Sequence, residues 1–154
     1  RGAKQCLFEG GIRVPAAISW PGIIPANQFR DQMSVNVDWM PTLIELCGFE
    51  TDTSEMDGKS LMSIIENEKA LSNHKNGYCW EFRHRGKSTW VARKGNWKLY
   101  ANPFDTSRRN YTYTEKFVLY DLENDPGESI NLYDQETAVV NELKNLYNNW
   151  KSQQ

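Results

Sequence analysis

At 154 residues and a formal net charge of -2 at pH 7, the chain is long enough for one domain, or for a small domain beside the flank of a larger one. The acidic balance argues against a nucleic-acid partner, which would call for a basic face. No apolar run approaches the roughly 18 residues a membrane-spanning helix needs, and three cysteines cannot all pair with one another.

Residues 1–22 read as loop, glycine turn and strand. The Gly10-Gly11 pair lets the backbone take positive φ or pass close to a neighbouring group. Beyond it, β-branched Ile12, Val14 and Ile18 favour an extended, buried segment ending at Trp20-Pro21-Gly22. Pro25 and the polar run Asn27 to Gln32 mark a surface connection. A helix is expected from Asp38 as N-cap, with Met40, Leu43, Ile44 and Cys47 on one face, Pro41 tolerated in the first turn and Gly48 as the stop. That apolar face is expected to pack under the sheet edge to which the Val14 to Trp20 strand contributes. A short helix from Ser60 to Glu66 follows, and the polar stretch Asn67 to Asn76 is the expected seam between two parts of the chain.

After the seam the hydrophobic period changes to two. Tyr78, Trp80 and Phe82 alternate with Cys79, Glu81 and Arg83. Trp90 and Ala92 alternate with Val91 and Arg93, and Trp97, Leu99 and Ala101 with Lys98 and Tyr100. Gly95-Asn96 signals a hairpin between the last two runs. The cations at Arg83 to Lys87 and Arg93 to Lys98 read as solvated strand faces. Asn102 to Glu115 is a polar loop with an Asn-Tyr-Thr sequon at Asn110, to which little weight attaches. Phe117 to Leu122 is a further strand closed by Asn124-Asp125-Pro126-Gly127. An amphipathic helix from about Gln135, capped by Asp134, carries Val139, Val140, Leu143, Leu146, Tyr147 and Trp150 on one stripe. Four antiparallel strands and this helix are expected to make a two-layer unit.

Four blocks carry a resemblance. Lys4, three residues, Phe8-Glu9-Gly10-Gly11-Ile12-Arg13-Val14-Pro15 and then Trp20-Pro21-Gly22 form the first. Val37 to Leu43, Arg93 to Leu99, and Leu119 to Glu128 with Asn131-Leu132 form the others. In this order they resemble the late signatures of the type I, formylglycine-dependent sulfatases of the alkaline-phosphatase superfamily. The resemblance implies an α/β fold overall, with this chain as a C-terminal, α+β part of it. Residues 1–73 are expected to be the end of the sulfatase core domain, at the edge of its large α/β sheet. Residues 74–154 are expected to form a small four-stranded antiparallel sheet packed on a C-terminal helix.

The resemblance also implies chemistry. In the family a lysine four residues before the Tyr-Glu-Gly-Gly motif contacts the sulfate, and Lys4 holds that place before Phe8, which stands for the commoner Tyr. In many relatives a His follows the Trp-Glu pair and points towards the substrate. Here Phe82 holds that position and His84 lies two residues later on the same strand face, so Arg83, His84 and Arg85 are candidate contacts to the sugar or its sulfates, beside the plainer reading of an exposed strand end. Arg13 reads as structural with Glu9 or an upstream carboxylate as partner, Glu9 equally as a cap of the turn, Asp38 as a helix cap, and His74 as needing no function. Trp90, Trp97 and Trp150 read as core.

Family members carry formylglycine, made from Cys or Ser in Cys/Ser-x-Pro/Ala-x-Arg, and a divalent cation, usually calcium. None of Cys6, Cys47 and Cys79 fits that pattern, and no metal ligand is assigned here. Both groups are therefore expected on a missing N-terminal part, leaving this chain alone inactive, with a sulfated carbohydrate or other sulfate ester as the substrate of the whole. Relatives are exported: periplasmic, secreted or lysosomal. A phosphodiester or phosphonate ester hydrolase of the same superfamily is one alternative. A non-catalytic carbohydrate-binding or interaction module, using Trp90 or Trp97, is another.

Overall fold

The computed structural model describes residues 1–84, 86–107 and 115–154, with His84 described by its backbone alone. Arg85 and the Asn110 sequon lie outside the described residues. In chain order the elements are α1 (Glu9–Ile12), a 3-10 turn at Asn36–Asp38, α2 (Trp39–Leu46), α3 (Met62–Glu66), β1 (Tyr78–His84), β2 (Lys87–Lys94), β3 (Trp97–Ala101), β4 (Phe117–Asp121) and α4 (Thr137–Lys151). They form two compact units, one of Arg1–Pro15 with Gly77–Gln154 and one of Ala16–Asn76.

In the first unit the four strands form an antiparallel meander in the order β1-β2-β3-β4. The β2–β3 hairpin closes with Lys94 opposite Trp97, and Gly95 takes a φ of +57° there, a left-handed conformation that costs glycine little. The register sets Tyr78 opposite Arg93 at one end and Ala101 opposite Phe117 at the other.

Alternation along the strands makes both faces of the sheet apolar. On one, Cys79, Ala92, Leu99 and Leu119 pack with Val140, Leu143 and Tyr147 of α4. Trp90, Trp97 and Trp150 pack against the same cluster, and Trp90 stacks on Tyr147 with ring centroids 3.9 Å apart. On the other face, Val91, Tyr100, Val118 and Tyr120 pack with Cys6, Leu7, Phe8 and Phe104. The N-terminal segment is thus a third layer beyond the two expected, because the second sheet face is as apolar as the first and needs its own cover.

Glu81 anchors the α4 side. Its carboxylate accepts hydrogen bonds from Lys151 Nζ at 2.7 Å, Tyr147 OH at 3.0 Å and Ser88 Oγ at 2.5 Å. The Lys151 and Ser88 bonds hold its carboxyl at about 2, below its ordinary 4.5. A depressed carboxyl contributes stability above its unfolded value and loses it as pH falls. We expect the difference in melting temperature between the wild type and Glu81→Gln to be full above pH 4.5 and to shrink toward pH 2. A difference independent of pH across that window would refute the assignment.

The structure departs from expectation beyond α1 and within the second unit. The segment beyond α1 forms no strand: residues 13–20 lack regular structure, and Val14 is 74% exposed. Strand preference in β-branched residues is a preference for fitting against neighbours, and no described strand pairs with this segment. Trp20-Pro21-Gly22 is instead a tight turn, with the N–H groups of Ile23 and Ile24 donating to Trp20 O. Helix α2 forms as expected, but Met40 and Leu43 of its apolar face are exposed.

Asp38 does not cap α2 with its side chain. It is fully buried, and its carboxylate accepts from Val35 N–H and Lys59 N–H at 2.8 Å each while lying 2.9 Å from His74 Nε2. His74, buried with it, ties the far end of the unit to the start of α2.

Candidate functional site

The N-terminal turn owes its shape to the glycine pair. Gly10 N–H donates to Arg1 O at 2.8 Å, and a Cβ on Gly10 would lie 2.4 Å from Gly2 O and 2.6 Å from Arg1 O. On Gly11 it would meet Cys6 O at 2.4 Å and Ala3 O at 2.6 Å. The two glycines are therefore needed for close approach of backbone to backbone, the second of the two uses expected of them. Residues 1–6 fold back over α1, while Phe8 sinks between Tyr100 and Tyr120 with ring centroids at 4.9 and 6.2 Å.

Lys4 stands at the crest of this turn. Its side chain is exposed and makes no hydrogen bond or ion pair with any described residue. The backbone on either side of it is held. The N–H of Ala3 donates to Thr106 Oγ1 at 3.2 Å, the Thr106 hydroxyl donates back to Ala3 O at 2.9 Å, and Cys6 Sγ donates to the same carbonyl at 3.1 Å.

Beneath the turn lies a buried charged cluster. Lys98, on β3 and fully buried, sits 2.5 Å from Glu9 Oε1 and 3.5 Å from Glu128 Oε1. Glu128 Oε2 accepts the Glu9 backbone N–H at 2.7 Å. Tyr100 OH donates to Glu128 Oε1 and lies 3.1 Å from Leu7 O. Burial, and then the Glu128 charge, push the Tyr100 phenol well above its ordinary value, so it remains a donor. Two carboxylates and one ammonium leave one negative charge, which Arg93 Nη1, 3.9 Å from Glu9 Oε1, offsets from the rim.

Three of the four sequence blocks meet here, Glu9 from the first, Arg93 and Lys98 from the third, and Glu128 from the last. Two expectations are corrected. Lys98 is not a solvated strand cation, and the partner of Glu9 is Lys98 rather than Arg13, whose side chain is exposed. Sequence reading also passed over Glu128 and Thr106. The signal for Lys98 was present in its register: it shares a face with Tyr100 and stands opposite Tyr120, so both flanking positions are large and apolar.

Arg83 is exposed near the tip of the β1–β2 hairpin, opposite Ser88. His84 follows opposite Lys87 at the strand end, its side chain outside the described residues, as is all of Arg85. The loop after β3 links this hairpin to the Lys4 turn. Asn102 Nδ2 donates to Ser88 O at 2.9 Å and Asn102 O accepts from Thr89 Oγ1 at 2.8 Å. Four residues on, Thr106 holds Ala3. The connection after β3 thus contacts both the β1–β2 hairpin that carries Arg83 and the turn that carries Lys4.

The calcium and formylglycine that the resemblance implies do not fit the described residues. No three of their His, Cys, Asp and Glu side chains come together as a metal site. The carboxylates that do approach one another, Glu9 and Glu128, are engaged by Lys98, Tyr100 and a backbone N–H. Cys79 is buried, its thiol pushed up to about 12 by desolvation, and is a poor nucleophile. A concavity of about 730 Å³ lined by residues from Ile18 to Gln28 has no titratable side chain and offers no acid or base.

Comparison with known proteins decides the family. The profile described as N-sulphoglucosamine sulphohydrolase, C-terminal, matches residues 3–153. The chain belongs to this sulfatase family. A sulfatase of Formosa agariphila is 34% identical over 140 residues, covering 84% of this chain and 24% of its own length. Rat steryl-sulfatase is 30% identical over 154 residues, covering 83% and 26%.

Among solved structures, one in complex with its substrate D-glucosamine-2-N,6-O-disulfate superposes with a TM-score of 0.66 at 23% identity, covering 87% of this chain and 27% of its own. A 2-O glycosaminoglycan sulfatase gives 0.58 at 23%, covering 75% and 24%. The chain thus spans about a quarter of the length of these sulfatases, and its antiparallel sheet with α4 has the fold of the corresponding part of α/β sulfatases.

Proposed function

We propose that this chain is the C-terminal part of a longer enzyme that hydrolyses sulfate esters of a sulfated carbohydrate, and that Lys4 is its sulfate contact. The observation that carries the reading is an exposed ammonium, without a partner among the described residues, on a turn whose neighbouring backbone is fixed, inside a chain matched almost end to end by a sulfatase profile. A fixed cation suits the task. As the S–O bond breaks, negative charge grows on the leaving oxygen and stays spread over the sulfuryl oxygens, and an ammonium already in place stabilises it without reorganising. Lys4 serves here as a point charge with rotatable donors.

Formylglycine as nucleophile and a calcium ion on the sulfate are assigned in this reading to the N-terminal part, so the chain alone is inactive. Arg83, His84 and Arg85 are proposed to meet the sugar or a further sulfate from the β1–β2 hairpin. The sugar preference rests on the disulfated glucosamine held by one structural neighbour and on the N-acetylglucosamine-6-O-sulfatase of Bacteroides thetaiotaomicron, 29% identical over 138 residues. Export from the cytoplasm belongs to the same proposal.

The test is a comparison of esters with the full-length protein. It is expected to release sulfate from an aryl sulfate and from a sulfated glucosamine at least about a hundredfold faster, in kcat/KM, than it cleaves an aryl phosphodiester, a gap of about 2.7 kcal/mol in transition-state binding. Faster cleavage of the phosphodiester would move the enzyme to the other branch of the superfamily. Saturable glycan binding with no turnover of either ester would make it a binding module.

A further inference from the structure

The described part of the connection after β3, residues 102–107, is built to hold one residue of the N-terminal turn. Asn102 starts it in a left-handed conformation, φ +50°, and is held at three points: its N–H donates to Lys116 O at 2.8 Å, its carbonyl accepts from Thr89 Oγ1, and its amide NH2 donates to Ser88 O. Phe104 is buried in the core. Asp105 closes the turn, accepting from Ser107 N–H at 2.9 Å, Ser107 Oγ at 2.5 Å and Arg1 Nε at 2.9 Å. What this pinned loop presents is the Thr106 hydroxyl. That hydroxyl accepts from the N–H and donates to the carbonyl of one residue, Ala3, immediately before Lys4.

A lysine with four rotatable side-chain bonds is positioned mainly through its backbone. Gln5, on the other side of Lys4, has a φ of +75°, a conformation that a non-glycine residue keeps only when its surroundings impose it. We propose that Thr106 is a positioning residue for the sulfate-ester reaction, fixing the Ala3–Lys4 peptide so that the Lys4 ammonium meets the sulfate from one direction. This rests on the reading of Lys4 as the sulfate contact. Thr106 touches no substrate and acts through Lys4 alone.

Thr106→Val keeps shape and removes both hydrogen bonds, while Thr106→Ser keeps both. In the full-length protein, Thr106→Val is expected to lower kcat on an aryl sulfate about tenfold or more, within the range that an ångström of misplacement costs, with the melting temperature near that of the wild type. Thr106→Ser is expected to restore most of the rate. Should the valine variant fold poorly, Thr106→Ala, which adds no apolar bulk, gives the same comparison.

The decisive readout is a double-mutant cycle. In a Lys4→Ala background, Thr106→Val is expected to change kcat by less than about twofold, because its effect has no other route. A full loss in that background, or no loss in the wild type while Lys4→Ala is impaired, overturns the positioning role and leaves the sulfate-contact reading standing. If Lys4→Ala itself is as fast as the wild type, both fall together.

Discussion

Lys98→Met is expected to lower the unfolding free energy by about 3 to 5 kcal/mol, the cost of removing one partner from a buried ion pair. The magnitude follows from what is left behind. Glu9 and Glu128 would face each other across the vacated site, Glu128 fully buried, with only Arg93 at the rim, 3.9 Å from Glu9, to offset two charges. Glu128, with no exposed surface, cannot be rehydrated without opening the layer that Phe8, Tyr100 and Tyr120 close.

Adding Glu9→Gln and Glu128→Gln to Lys98→Met is expected to recover most of the loss, since a Gln at 128 can accept the Glu9 N–H on its one carbonyl oxygen and donate its amide to the Tyr100 oxygen, leaving the Tyr100 hydroxyl to donate to Leu7 O. The check is chemical unfolding of the full-length protein. A loss under about 1 kcal/mol for Lys98→Met, the scale of an exposed pair, would show that this lysine reaches solvent and that the cluster does not lock the turn.

The parts of this fold that could be read in advance are those whose signal is local. The period-two runs from Tyr78 to Leu122, the Gly95-Asn96 hairpin and the stripe from Val139 to Trp150 each carry their own geometry, and the meander and α4 follow them closely. The parts that could not be read depend on partners distant in sequence. Asp38 stands where a cap belongs, yet it is held by His74, 36 positions on. Glu9 was read as a partner for Arg13 or as a cap of the turn, whereas the sheet brings Lys98 to it from 89 positions away. The segment from Val14 to Trp20 has a strand's composition without a strand beside it among the described residues, and composition cannot supply hydrogen-bond partners.

The candidate site divides in the same way. Lys4 was legible through a motif, and the glycine pair announced a close approach without saying to what. Thr106 sits in a polar loop of ordinary composition, and only the fold shows that its hydroxyl closes on the residue before Lys4.

Lys4→Ala is the second large effect, and it falls on activity. The ammonium is exposed and engaged with no described residue, so removing it disturbs no packing and is expected to leave the melting temperature unchanged. Loss of one preorganised charge donor at a reacting centre costs about 10² to 10³ in turnover. The loss is expected in kcat as well as kcat/KM, because charge on the leaving oxygen appears only in the transition state. Lys4→Arg keeps the charge but moves it to a longer, planar head, and is expected to fall between the two. The measurement is sulfate release from an aryl sulfate by the full-length protein, wild type against Lys4→Ala, at saturating substrate. A drop of about a hundredfold or more with unchanged unfolding is the predicted result; equal rates would contradict the account.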